Sequence, residues 1–284
     1  MKNKRTSERI IYISMRVITY LIVFFIAYIL IDILIHGLPA ISIEFLTSAP
    51  QKSGAEGGIF PAILGTFLLV IGTIVVALPL GMFSAIYLNE YAKQNKITQT
   101  IRMAIVTLAG IPSIVFGLFG LGLFVITLNF GASLLAGSLT LACMILPTII
   151  VASEEALKSV PKYMREGSLA LGATKWETIY KNVLPYALPG MLTGSILGVG
   201  RAAGETAPIL LTAAAFFLPE LPSSVFDQVM ALPYHLYILA TQHPDAQKIL
   251  PMQYGTALVL LILVVGLNLV AIILRIRVRK KYNW

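Results

Sequence analysis

The chain has 284 residues, 57% of them hydrophobic and only 12% charged, with a mean hydropathy of +0.85. A soluble domain of this size is about a quarter charged, so half that charge together with long apolar runs excludes an ordinary soluble protein and places the chain in a bilayer. The net charge of +8 raises nucleic acid as a partner, and only the placement of the charges decides that question.

The N-terminus is basic (Lys2, Lys4, Arg5, Arg9) and leads into an apolar stretch from about Val17 to Ile35. That stretch is too long for the apolar region of a signal peptide, and no small-x-small cleavage site follows it closely, so it is expected to remain as a first span. Six stretches are long enough to cross about 30 Å of hydrocarbon at about 1.5 Å per residue. They run approximately 13–35, 61–88, 103–128, 133–152, 186–216 and 255–274. The expected fold is all-α, a single transmembrane domain over 1–284 with six membrane helices. A cytoplasmic segment covers 153–185 and an extracytoplasmic loop 217–254.

Lys and Arg are distributed unequally between the connections. Eighteen of the twenty-one lie in the N-terminal segment, in 89–102, in 153–185 and in the C-terminal tail, all on one side of a six-span arrangement. Only Lys52 and Lys248 fall on the other side. This asymmetry predicts an inner-membrane, multi-pass chain with both termini cytoplasmic. The positive charge is therefore topological, and nucleic acid is not an expected partner; membrane lipid is. The remaining cation, Arg201, falls in the middle of the fifth span.

Within the spans, Pro79, Pro112, Pro147, Pro189 and Pro208 are tolerable because neighbouring helices can satisfy the carbonyls they free. Gly190, Gly194 and Gly198 recur every fourth residue, as do Gly200 and Gly204, a spacing that lets helices approach closely, whether for packing alone or at a translocation interface. The single cysteine, Cys143, lies in an apolar run and allows no intramolecular disulfide. The 217–254 loop contains VFDQVMALPYHLYILATQ, a moderately amphipathic stretch interrupted by Pro233 that suits the outer membrane surface. His235 and His243 within it have no third ligand in view, so no metal site is expected. No Gly is followed by Lys, so no phosphate-binding P-loop is present, and neither HExxH nor GxSxG occurs. GVGRAAG at 198–204 misplaces the third glycine of a dinucleotide fingerprint and lies inside a span. The chain itself is expected to be no enzyme and to hold no cofactor.

The segment SEEALKSVPKYMREGSLALGATKWETIYKNVLP, at 153–185, carries the most information. Residues 162–171 have helical composition, and Gly172 suits a left-handed stop. Thr174, with Glu177 three residues on, can open a second short helix through a capping box, and Pro185 precedes the next span. In this it resembles the permease subunits of type I ABC importers. Their signature is EAA, three residues, Gly, nine residues and Ile-x-Leu-Pro. Glu166, Gly167, Ser168, Gly172, Leu184 and Pro185 fall in register with it. Gly167 and Ser168 replace the two alanines, and Asn182 replaces the isoleucine. In that family the element is the coupling helix, which seats in a cleft of a separate ATP-hydrolysing subunit. The stretch GRAAGETAPILLT, at 200–212, is similar to the phosphate-specific permeases, and its GETAP ending, as opposed to GETMA, points to one of the two related permeases of that system.

The resemblance implies a heterodimer with a sister permease, two ATPase subunits that bind ATP and Mg, and an extracytoplasmic phosphate-binding protein. Arg201 and Glu205, four residues apart, are expected on one helix face. A planar guanidinium fork matches two phosphate oxygens, and Glu205 can neutralise it or accept from a protonated phosphate. A structural ion pair is the other reading of the two. Thr206 and Thr212 are weaker candidates for the pathway and suit helix-packing hydroxyls better. Other readings of the whole chain are a permease for another oxyanion such as sulfate or molybdate, an ion-coupled carrier with Glu205 as proton relay, and, least suited, a membrane enzyme.

Overall fold

Helices follow the apolar runs, but they break where proline and glycine coincide. In the computed structural model, which describes residues 2–51, 56–242 and 249–281, α1 spans Lys2–Gly37 and a short α2 spans Ile43–Thr47. α3 covers Phe60–Ile86, with a π-turn over Tyr87–Tyr91; α4 covers Lys96–Ala109; α5 covers Ser113–Gly120, continued as a π-turn to Thr127. The long α6 runs Leu134–Lys158. After it come α7 (Lys162–Ala170), α8 (Lys175–Thr178) and, across a π-turn, α9 (Leu184–Gly204). Last are α10 (Ala207–Thr212), α11 (Leu232–Thr241) and α12 (Leu250–Lys281). Beside the helices the described residues hold a two-stranded antiparallel ribbon, β1 (Pro50–Gln51) on β2 (Glu56–Gly57), and one isolated bridge, Ala214–Val229. Lys52, Lys248 and His243 lie outside the described residues.

Among the described residues, five helices are long and apolar enough to cross a membrane, or six if α4 and α5 count as one span. The 103–128 stretch is not one straight helix. It bends by 105° between α4 and α5, at Gly110–Pro112, because Pro112 has no N–H to continue the ladder and disfavours helix in the residue before it. The 186–216 stretch is likewise divided. α9 stops at Gly204, Glu205 is extended (φ −76°, ψ 134°), and α10 restarts with Pro208 in its first turn. Pro208 could not have donated to the carbonyl of Gly204, so a continuous helix would have lost a bond there. In the 217–254 loop, Pro233 does not interrupt a helix: it sits in the first turn of α11, where its missing N–H has no intrahelical partner to lose. One face of α11 is buried, with Leu232, Pro233, His235, Ile238 and Leu239 packed toward α3 and α12, while Tyr237 and Thr241 are exposed.

α6 is the central helix and packs against α3, α4, α5, α9 and α10. Leu141, Met144, Ile145 and Ile149 form the middle of the core with Leu69 and Phe116; Ile150 and Leu157 join Ile179, Val183 and Met191 at the other end. Gly190 and Gly194 of α9 lie directly against Ala156 and Ala152 of α6, and a Cβ on either glycine would meet the alanine methyl. At Gly190 and Gly194 the stripe serves close packing inside the chain. α12 packs on α9 and carries α1, none of whose apolar window is buried.

Candidate functional site

Two regions hold the residues singled out in the sequence. The first is a cleft of about 980 Å³ between α6, α9 and α12. Thr148, Ala152 and Glu155 of α6 form one wall, Thr193, Leu197, Gly200 and Arg201 of α9 a second, and Asn268, Ile272 and Arg275 of α12 a third. Its lining is mostly apolar, so the few polar groups stand out chemically. Arg201 occupies the last turn of α9, where the unpaired carbonyls of the helix end favour a cation.

Arg201 Nε donates to Glu205 Oε1 at 3.3 Å. The pair forms although the two residues do not share a helix face, because the chain turns out of α9 at Glu205. Glu205 is the less exposed partner, 18% against 40% for the Arg201 side chain. Of the three expected pathway residues, only Arg201 lines the cleft. Thr206 sits half-buried at the N-cap of α10 without a capping bond. Thr212 donates to the Pro208 carbonyl and is fully buried, a packing hydroxyl. Asn268 and Thr148 escaped the sequence reading. A lone Asn in an apolar run is visible, but nothing local says which helix face it occupies.

The second region is the knob made by α7 and α8. Gly172 adopts φ +86°, a left-handed conformation that costs a residue with a Cβ about 1–2 kcal/mol. The capping box is complete: Thr174 Oγ1 accepts from the Glu177 N–H, and Glu177 accepts from the Thr174 N–H. Glu166 and Gly167 are exposed, and Leu184 and Pro185 open α9. Two of the three departures from the importer signature, Ser168 and Asn182, meet each other. Asn182 Nδ2 donates to Ser168 Oγ at 2.9 Å, and Ser168 Oγ shares a second bond of 2.9 Å with Thr178 Oγ1. A polar clasp therefore stands where the signature has Ala and Ile.

The knob is tied to the bundle by charges read in the sequence only as topological. Arg165 donates to Glu90, in the π-turn that follows α3, at 2.7 Å, and to the carbonyls of Val160 and Leu157. Arg102 of α4 donates to Glu154 of α6 at 3.0 Å, to Gln94 and to the Leu88 carbonyl. Both acids are 8% exposed; acids embedded at apolar helix ends are the sequence signal that could have found them. Losing one partner of such a buried pair costs about 3–5 kcal/mol. On the outer face of the knob, Tyr163, Leu171, Trp176 and Tyr180 are exposed, Leu171 by 91%, and Trp176 stacks on Tyr180.

Comparison with known proteins gives a consistent result. Residues 77–283 match the family described as binding-protein-dependent transport system inner membrane component. The chain is 35% identical over 252 residues to the probable ABC transporter permease protein YqgI of Bacillus subtilis (strain 168), covering 84% of this chain and 85% of that one. It is 38% identical over 220 residues to the phosphate transport system permease protein PstA 1 of Mycobacterium tuberculosis (strain CDC 1551 / Oshkosh), covering 77% and 71%. A probable phosphate transport system permease protein PstA of Methanocaldococcus jannaschii is 36% identical over 236 residues, covering 83% and 82%. Among solved structures, the inward-facing MetNI methionine ABC transporter superposes with a TM-score of 0.59 at 20% identity, over 78% of this chain and 94% of that one. A bacterial ABC transporter that imports alginate gives 0.60 at 13% identity, over 80% of each.

Proposed function

The chain belongs to the family of binding-protein-dependent transport system inner membrane components, and from that membership we propose that it forms half of the membrane pathway of an ATP-driven importer of inorganic phosphate. It is a multi-pass membrane permease subunit of an ABC importer with the type I permease fold. Phosphate as substrate is supported by the relatives named as phosphate transport permeases. The observation that carries the reading is Arg201, held at the break of α9 with Glu205 and facing a cleft.

A guanidinium is unstable toward hydrocarbon: an arginine at mid-span costs about 2.5–3.5 kcal/mol on insertion scales. Arg201 is nonetheless 40% exposed on the isolated chain. In our reading a sister permease covers this face, and the cleft becomes one wall of a water-lined path. Arg201 then takes up two oxygens of the anion through its fork, while Glu205 neutralises it between turnovers. The mostly apolar lining leaves the Arg201 fork few competing protein partners, so the anion is its main counter-charge.

The knob supplies the other half of the mechanism. Exposed aromatics and Leu171 on a charged cytoplasmic face suit a docking surface for a separate ATPase, and we assign two copies of it to the pair of permeases, with ATP and Mg held there. Residues Glu166, Gly167, Ser168, Gly172, Leu184 and Pro185 shape and join the knob. The Arg165–Glu90 pair passes its movement to α3, and the π-turn before Leu184 passes it to α9. A phosphate-binding protein would deliver the anion on the opposite side. Both termini are cytoplasmic in this arrangement.

The test is uptake of labelled phosphate by cells lacking this chain and supplied with variants. Arg201→Ala is expected to insert and assemble but to lose uptake. Arg201→Lys should restore little, because a point charge cannot make two parallel bonds in a plane. Normal uptake by an assembled Arg201→Ala variant would remove Arg201 from the pathway.

A further inference from the structure

The cleft that holds Arg201 is lined by a second cation, Arg275 of α12. Asn268, Ile272 and Arg275 follow one another at spacings of four and three and all line the cleft, so they share one helix face. Asn268 fixes the level of that face against α9, because a Cβ on Gly200, the neighbour of Arg201, would stand 2.9 Å from its carboxamide. Arg275 comes seven residues later, about 10 Å further along the axis at about 1.5 Å per residue. In the orientation proposed above, that direction leads to the cytoplasm.

The other cations at the end of α12 behave as topological charges: Arg277, Arg279 and Lys280 are exposed. Arg275 differs. It is half-buried at the cleft wall, and among the described residues it has no hydrogen-bond or ion-pair partner. Glu155 lines the same cleft, but it is held by Lys158 at 2.8 Å. A guanidinium beside a mostly apolar lining, with no counter-charge of its own, is suited to an anion that comes and goes.

We propose that Arg275 is a second anion station, at the inner mouth of the cleft, which receives the oxyanion from Arg201 before release to the cytoplasm. The proposal rests on the phosphate pathway argued above and deepens it. An anion leaving Arg201 must pass Leu197, Ile272 and the small residues of α6 and α9, where it is poorly solvated. One deep cation alone would hold the anion and raise the barrier to its exit. A cleft with low-dielectric walls and charges of one sign focuses their field along its length. Ions cross such paths between neighbouring sites, each weak enough to leave. Phosphate oxygens reach an arginine at this depth from two sources, the transported anion and the headgroup of an anionic lipid.

The experiment uses the assembled complex, reconstituted in vesicles with its binding protein. Two quantities are read together: ATP hydrolysis stimulated by the phosphate-loaded binding protein, and labelled phosphate delivered per ATP. Arg275→Gln is expected to keep assembly and stimulated hydrolysis within about twofold of wild type and to deliver at least about fivefold less phosphate per ATP. Arg275→Lys should restore most of the delivery, because a site crossed in transit needs the charge and not the planar fork; Arg201→Lys should not. Wild-type delivery by Arg275→Gln would overturn the proposal. So would loss of assembly in both Arg275 variants, which would make the residue structural. Wild-type delivery is expected to be equal in vesicles of phosphatidylcholine alone and of phosphatidylcholine mixed with phosphatidylglycerol. A dependence on phosphatidylglycerol that Arg275→Gln abolishes would assign the residue to a lipid headgroup and overturn the proposal as well. Arg201→Ala, run beside them, separates this inference from its premise. If it transports normally, the pathway reading fails; if it loses delivery while Arg275→Gln does not, only the role of Arg275 fails.

Discussion

Arg201 and Asn268 show how single polar groups acquire meaning from apolar surroundings. In water neither would be notable. Against the lining of the cleft the unpaired nitrogens of Arg201 are an unmet hydrogen-bonding demand that a solute with matching groups can meet, whereas Asn268 Oδ1 is enclosed by the chain itself. His235 is a different case: both its ring nitrogens are buried without a side-chain or backbone partner among the described residues, but away from the cleft. Its ring is 1% exposed and stacks on Phe216 with centroids 6.4 Å apart, and burial pushes its pKa from 6.5 down to about 4. It is a neutral packing residue. Because the folded state resists protonation, stability is complete above the unfolded value near 6.5 and declines as pH falls from there toward about 4. The decline is on the order of 3 kcal/mol. Thermal unfolding of the purified chain across pH 7 to 4 should show this loss. His235→Phe should flatten the profile, and an unchanged slope would place the acid sensitivity elsewhere.

At the scale of elements, the knob depends on local devices that work together. Gly172 turns the chain, the Thr174–Glu177 box starts α8, and the Ser168–Thr178–Asn182 clasp sets how α7 lies against the following turn. Ser168→Ala alone strands the half-buried Asn182 amide and is expected to cost about 1–2 kcal/mol. Ser168→Ala with Asn182→Ile rebuilds the apolar pair of the importer signature, so the double variant should be less destabilised than the sum of the singles. A coupling energy of about 0.5–3 kcal/mol is expected from the cycle. Thermal stability of the complex and stimulation of its ATP hydrolysis both report on it. Strict additivity would mean that the three side chains do not act as a unit. Breaks in α4–α5 and α9–α10 are devices of the same order. Both leave irregular backbone partly open on this chain alone, with Gly110, Pro112 and Gly204 exposed, and a bilayer permits that only where protein or a water-lined cavity adjoins it.

For the whole molecule, the question is which face meets which surroundings. α1 is bare on all sides but one, and the cleft is open along α9 and α12. A lipid neighbour suits the first and not the second, since Arg201 and Arg275 line the cleft. That difference supports a partner permease on the cleft side. Orientation can be checked directly. A cysteine introduced at Ser223, beside the Asp227 carboxylate that accepts from the Ser223 hydroxyl and the N–H groups of Ser223 and Ser224, is expected to react with impermeant reagents outside intact cells. One at Thr174 is expected to stay unlabelled. The reverse pattern would invert the chain. Ser53, on the same side as Ser223 by charge, lies outside the described residues.

Much of this protein is legible without coordinates, because the bilayer makes the sequence speak plainly. Hydrocarbon demands continuous apolar helix, so the runs themselves announce an all-α membrane fold, and the uneven placement of Lys and Arg predicts which side each connection occupies. The left-handed stop at Gly172 and the capping box at Thr174 are equally local, settled by residues within a turn of each other. What local reasoning could not supply are relations between distant segments. The sequence places Arg201 and Glu205 in one helix, whereas the fold brings them together across a break. Glu90 and Arg165 are seventy-five positions apart and become a pair only when α3 and α7 meet. Asn268 reaches the side of Arg201 because α12 packs on α9 at a glycine. Helix existence is decided by solvent and propensity along the chain, but pairing is decided by which faces fit, and that is a property of the packed bundle alone.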